Sequence, residues 1–305
     1  MKRKFLTLCI VLLVSSTVLF AANPVLKQAD DLYWGDRYEE AEALLLSALT
    51  TETNPAEKAE ILWRLSRVTV GIGDELGELG ATKDELFAIY EKAEKYAVDS
   101  IEATPTAWGY VYKASSVGRW GETKGPLNAL SKAAPMKEDF SKVIDSFKVY
   151  DNTISWYVLG QLYFQLPGWP ISFGNLEYAI SYTRKALDTI PSHTMYPNHY
   201  KALAEMLWKR NWSVNTRNSK ITAFQKEWAK SGKTELEKHI YYEGANGPEH
   251  VPFYSPVALN KMSDRQEAVL LLQYAVSRYP TWPFHSRADN RALAEIQALL
   301  KEYGF

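Results

Sequence analysis

Trp156-Tyr157-Val158-Leu159-Gly160-Gln161-Leu162-Tyr163 is the stretch on which the fold turns. Trp156, Leu159, Gly160 and Tyr163 stand at steps of three, one and three, so all four share one helical stripe instead of alternating as in a strand. A second helix follows, marked by Ala179, Ala186 and Pro191. Seven residues make two turns, which puts both alanines on one face where a neighbouring helix can come close, and the proline then stops the helix. The same ruler recurs at Ala268, Ala275, Pro280 and at Ala93, Ser100, Pro105; Ala41 and Ala48 carry it without the proline. Tyr200-x-x-Leu203-Ala204-x-x-Leu207 repeats the first stripe, and Leu62-x-x-Leu65-Ser66 is a weaker copy. Such pairs bury their apolar faces only by stacking on one another. The expected fold is all-α, a superhelix of about four to five helix-turn-helix pairs with irregular insertions.

The insertions are read from departures in spacing. Between Tyr163 and Ala179 the chain is about seven residues longer than a 34-residue unit allows, and the excess falls near Leu166-Pro167-Gly168-Trp169-Pro170. Residues 71–83 hold Gly71, Gly73, Gly77 and Gly80 and read as a second inserted connector; their spacing fits neither phosphate-binding glycine pattern. The irregular stretch from Gly244 to Pro256 is expected to displace a degenerate first helix before the helix of Ala268 and Ala275. Residues 286–303, with Leu293, Ile296, Leu299 and Leu300 on one face, read as a terminal capping helix.

At the N-terminus, Lys2, Arg3 and Lys4 precede an uncharged run from Phe5 to Phe20 that ends at Ala21 and Ala22. This is the layout of a secretory signal, with residues 1–21 removed and 22–305 left as a single domain. An uncleaved N-terminal anchor is the alternative. Cys9, the only cysteine, lies inside that run, so the remainder has no thiol for disulfides, metal or nucleophilic catalysis. The reading implies a periplasmic or secreted protein.

With 35 Lys+Arg against 36 Asp+Glu the net charge is −1, which excludes the global basic field of a general nucleic-acid binder. The histidines His193, His199, His239, His250 and His285 form no helical ligand pair; His239 and Glu243 are four apart, but two ligands do not make a catalytic zinc site. No Gly-x-Ser-x-Gly elbow is present. Neither a metal, a cofactor nor a catalytic constellation is expected.

Aromatic residues make up 13% of the chain, including 10 Trp and 19 Tyr. If the first helix of each pair lines the inner face, that face presents Trp63 and Arg67, then Tyr112, Arg119 and Trp120, then Tyr157, Gln161 and Phe164, then Glu205 and Trp208. Aromatics interleaved with Arg, Gln and Glu suit a recognition surface, and the competing reading is that they fill the core. Arg119-Trp120 and Trp63 with Arg67 are expected side by side, an Arg fork and an aromatic plane that together would hold a carboxylate on an apolar body.

The two stripes and the ruler resemble the tetratricopeptide repeat. Leu62-Trp63-Arg64-Leu65-Ser66-Arg67, Ser116-Val117-Gly118-Arg119-Trp120-Gly121 and the long Trp156 unit further resemble a divergent helical-repeat group. That group contains the tetratricopeptide components of bacterial TRAP transporters and the eukaryotic regulators of microtubule dynamics. The TRAP branch implies an exported, non-enzymatic scaffold that oligomerises, contacts a periplasmic solute-binding protein and holds a small apolar or carboxylate ligand in its groove. The chain lacks that branch's lipidation cysteine after the signal, and a membrane would enter only through an uncleaved N-terminal segment. The rival function is an enzyme in which the insertions at 71–83 and 166–175 close over an acidic cleft.

Overall fold

The computed structural model describes residues 23–192 and 194–305. Among them are thirteen α-helices and no strand. They are α1 (Pro24–Trp34), α2 (Tyr38–Leu49), α3 (Pro55–Glu78), α4 (Lys83–Ala103), α5 (Ala107–Lys124), α6 (Leu130–Ser141) and α7 (Thr153–Gln165). There follow α8 (Leu176–Asp188), α9 (Pro197–Arg210), α10 (Val214–Lys230), α11 (Glu235–Lys238), α12 (Asp264–Arg278) and α13 (Arg287–Glu302). The expected signal and Cys9 lie outside the described residues.

Polar residues just before the apolar runs set the helix starts. Asn54 accepts from the backbone N–H of Ala56 and Glu57 with Pro55 in the first turn, and Asn175 accepts from Glu177 and Tyr178 N–H. Thr82 with Glu85, Ser263 with Gln266 and Ser286 with Asp289 form capping boxes. Each satisfies amides that the first helical turn leaves free.

The helices stack in pairs: α1 with α2, α3 with α4, α5 with α6 and α7 with α8. The fifth pair is not consecutive, because α12 packs chiefly on α9. The stripe of Tyr200, Leu203, Ala204 and Leu207 is therefore the partner of the Ala268 and Ala275 helix. Residues 211–263 are an insertion within that pair: 244–256 is irregular as expected, but the first helix before Ala268 is the well-formed α9 and not a degenerate one. The ruler works as its spacing implies in three copies and in part in the fourth: Ala93, Ser100, Ala179, Ala186, Ala268, Ala275 and Ala41 are buried, and Ala48 is half-buried. Ser100 Oγ donates to Ala59 O at 2.9 Å and Thr153 Oγ1 to Ala186 O at 2.8 Å, tying second helices to first ones. In α6 the ruler is lost because Phe140, also buried, stands seven residues after Ala133.

One expected insertion is not there. Gly71, Gly73 and Gly77 belong to α3, a helix of 24 residues. A Cβ on Gly71 would come 3.1 Å from the Tyr38 ring, and one on Gly73 would come 2.6 Å from the Tyr90 ring. These glycines let α2 and α4 approach a long helix; they do not break it. Residues 166–175, in contrast, do form the irregular link between α7 and α8.

The stack closes on itself. α13 packs on α12 and α9, and its first turns reach the other end of the chain. Arg287 donates from its backbone N–H to Asp36 Oδ2 at 2.8 Å and from its guanidinium to Asp36 O at 2.7 Å. Arg287 and Arg291 both pair with Glu75, and the Phe284 ring meets Trp34 edge-on at 6.2 Å.

Candidate partner-binding surface

The inner row divides into three groups. Trp63, Arg67 and Tyr112 come together as expected, but in the interior: all three are buried. The Trp63 ring lies parallel to Tyr112 at 5.6 Å and stacks on Trp108 at 5.4 Å. Arg67 sits over Tyr33 at 4.1 Å and over Trp63 at 5.2 Å, and pairs with Asp30. Asp30 also takes two bonds from Arg64, each 3.0 Å. Burial drives the Tyr112 phenol well up, so it stays protonated.

Arg119 and Trp120 part company. Arg119, with 46% of its side chain exposed, bonds to Asp74 at 2.9 Å and to Glu122 at 2.8 Å. Asp74, whose carboxyl burial pushes up against the pull of Arg119, accepts from Tyr90 OH at 3.0 Å. Trp120 instead turns to α4, donating to Glu91 at 3.1 Å and packing on Phe87 at 5.3 Å. The expected Arg fork beside an aromatic plane on one open face is not formed. Neighbouring positions on a helix point about 100° apart, and each found its own partner helix.

The remaining five residues pack in the C-terminal half. Tyr157 stacks on His199 at 4.1 Å, Tyr196 covers the other side of that imidazole at 5.1 Å, and burial raises the Tyr157 phenol to about 12. Gln161 lines a small hollow with Val117, Met136 and Leu162, and its amide oxygen accepts from Gln165 at 3.2 Å. Phe164 lies under Lys209 at 4.7 Å. Trp208 stacks on Tyr303 of the chain end at 3.5 Å with Arg265 on its ring at 4.6 Å, and Glu205 is half-buried, its carboxyl raised by burial. Most of the row is packing, and Arg119 is the charged member that keeps substantial access to solvent.

A second constellation carried no signal in the sequence. Arg184 of α8, Arg210 of α9, Arg217 of α10, Glu243, Asp264 and Glu267 form an interior network with Tyr254. Arg184 reaches Glu267 at 2.5 and 2.8 Å and Glu243 at 3.1 Å. Arg210 reaches Glu243 at 2.6 and 2.7 Å and Asp264 at 2.7 and 2.9 Å. Arg217, completely buried, pairs with Glu267, and Tyr254 donates to the same carboxylate. Burial opposes the charge on Glu243, but Arg210, Arg184 and Arg217 outweigh it and hold the carboxyl down to about 2. Burial and the two neighbouring guanidiniums bring Arg217 down to about 10. Three cations meet three anions, so each group is occupied by another, and the network fastens the 211–263 insertion to α8 and α12. Among the described residues no group of three or more His, Cys, Asp or Glu is arranged to hold a metal ion.

With that geometry in view, the comparisons are informative. A family model described as regulator of microtubule dynamics protein 1-3 matches residues 25–172, from α1 through the α7–α8 link. The chain is 28% identical over 252 residues to a bovine regulator of microtubule dynamics protein 1, covering 77% of this chain and 74% of that protein. It is 27% identical over 238 residues to the mouse regulator of microtubule dynamics protein 1, covering 72% of each. Of the two branches the sequence resembled, these relatives stand on the microtubule side.

Two expectations fall with that result. The relatives are animal proteins named for microtubule dynamics, and cattle and mice have no periplasm, so the transport-accessory scaffold with its solute-binding partner and groove ligand is overturned. The periplasmic or secreted location goes with it; among the described residues, no helix is long and apolar enough to cross a membrane. The rival acidic cleft loses the first of its two closing loops, because 71–83 is largely α3.

Proposed function

We propose that this chain regulates microtubule dynamics through protein contacts and performs no catalysis of its own. The observation carrying the proposal is the similarity to the bovine and mouse regulators, which runs through about three-quarters of each chain. Two physical features support it. The helix pairs, read as divergent tetratricopeptide units, offer an extended surface of the kind such stacks use for partners. The titratable groups of the interior network saturate one another, which leaves no free acid, base or nucleophile among them.

In this reading Arg119 is the contact residue, because it combines solvent access with a fixed position against Asp74. A guanidinium held in that way pairs readily with a carboxylate of an acidic protein surface. Co-pelleting of the full chain with stabilised microtubules tests the reading. The chain is expected in the pellet, with Arg119→Ala weakening association by about 1–3 kcal/mol at unchanged helicity. A chain that stays in the supernatant at all microtubule concentrations would refute it.

A further inference from the structure

Consecutive helices in the stack run antiparallel, so the turns from first to second helix of successive pairs all emerge at one end. The contacts confirm this arrangement. Asp74 near the end of α3 bonds Arg119 near the end of α5, and Gly121 and Glu122 of α5 share a hollow with Gln165 and Leu166 at the end of α7. The turns at 79–82, 125–129 and 166–175 therefore form one rim.

That rim carries a distinctive load. The most exposed large apolar side chains among the described residues are Trp169 at 90%, Leu79 at 84%, Ile171 at 69%, Leu127 at 68% and Phe305 at 67%. Four of these five stand on the three turns. Each turn is also braced by backbone hydrogen bonds. Gly80, at φ +85, closes α3 while Ala81 N–H bonds Leu76 O at 2.9 Å. Gly125, at φ +93, accepts from Asn128 N–H at 2.9 Å. In the third turn Ile171 N–H bonds Gly168 O at 3.2 Å, Gly174 N–H bonds Pro167 O at 3.0 Å, and Asn175 N–H bonds Tyr163 O at 2.8 Å. The apolar tips are held out on ordered loops, so immersing them requires little further ordering of backbone.

We infer that this rim docks on a lipid bilayer surface by inserting Leu79, Leu127, Trp169 and Ile171 into the interfacial region. The inference is independent of the microtubule reading. Its choice of occupant rests on shape and charge. The exposed side chains stand on three separate turns, and a protein partner would need a pocket in register for each, whereas fluid lipid admits every tip on its own. Trp is the side chain best suited to the headgroup boundary, with an apolar body and one N–H donor. Around the tips the exposed charges are mixed, Lys83 and Lys124 with Asp84, Glu85 and Glu122, so attachment would depend on apolar contact and not on anionic lipid.

An environment-sensitive fluorophore at single cysteines in the full chain tests this locally. Cys9→Ser supplies the background; Leu127→Cys and Trp169→Cys place the probe on the rim, and Val251→Cys places it near the far end of α8, where the adjoining His250 and Pro252 lie by Leu187 and Asp188. With neutral phosphatidylcholine vesicles the emission at 127 and 169 is expected to shift to the blue and rise by roughly twofold or more, persisting in high salt, as burial of apolar groups in the interface requires. Nitroxide-labelled lipid should quench both, and the probe at 251 should not respond. The inference is overturned if the rim probes do not respond, if position 251 responds equally, or if the response needs anionic lipid and disappears with salt. A rim response to added tubulin but not to vesicles would likewise overturn it, in favour of a protein occupant.

Discussion

Glu75 and Arg291 lie 216 residues apart in the chain and 2.7 Å apart in space. Glu75 also receives Arg287 at 3.2 Å, so one largely covered carboxylate on the third helix holds two guanidiniums of the last. This clasp joins the beginning of the stack to its end. Replacing both arginines with alanine should cost on the order of 1 kcal/mol, because the pairs are partly exposed and each contributes modestly. The larger effect should be geometric. Spin labels at Glu40→Cys and Ala294→Cys, in a Cys9→Ser chain, should report a broader and longer distance in the double variant, and high salt should move the parent the same way. An unchanged distance would show that apolar packing of α13 closes the stack unaided.

Arg217→Ala is expected to be far more damaging. It removes one cation from a balanced buried network and leaves Glu267 short of a partner, a change that costs about 3–5 kcal/mol in buried pairs. Urea unfolding checks the size. The same network gives an acid dependence with a definite sign. Glu243 is held down to about 2 in the fold against an ordinary 4.5, so its contribution is complete above about pH 4.5 and is lost as pH falls through about 2. The urea midpoint should therefore drop across that window, and a Glu243→Gln chain should drop less steeply.

Gly160→Ala tests the close approach within the α7–α8 pair. A Cβ there would fall 2.2 Å from Thr183 Oγ1 and 3.2 Å from Ala179 O. Thr183 is buried and already bonded to Ala179 O, so it has no room to yield. Helix propensity alone would favour alanine, but the overlap should dominate and lower stability by about 1–3 kcal/mol. A thermal midpoint equal to or above the parent would show that the pair can separate without loss.

These sites also show what could be read from the chain alone. The ruler of small residues and the Trp156 stripe are local, periodic signals, and they identify helices, faces and the closest contacts. Pairing across an insertion is not local: nothing in residues 211–263 announces that Tyr200 and Ala268 belong to one pair. Glycine was ambiguous in the same way, since Gly71 and Gly73 look like loop formers until the Tyr38 and Tyr90 rings are in place. The inner row could be assigned to helices but not to solvent, because burial of Trp63 and Trp208 depends on Trp108 and Tyr303, far away in sequence. The network of Arg184, Arg210, Arg217, Glu243, Asp264 and Glu267 resembles scattered surface charge until the fold gathers it.

His199 lies between two tyrosine rings, and burial lowers its imidazole to about 3. Neither ring nitrogen has a hydrogen-bond partner. A neutral buried histidine of this kind penalises the fold once the unfolded chain can take up the proton, so its effect begins below about pH 6.5 and grows as pH falls toward 3. NMR of the ring protons should show no titration of His199 between pH 5 and 8. His199→Phe should flatten the loss of stability between pH 6.5 and 4.5.

The most direct measurement for the account as a whole is microscopy of single dynamic microtubules assembled from purified tubulin, with and without the full chain. The account predicts a dose-dependent change in growth rate or catastrophe frequency, reduced by Arg119→Ala and retained by His199→Phe. Growth and catastrophe indistinguishable from tubulin alone, across concentrations that saturate pelleting, would contradict it.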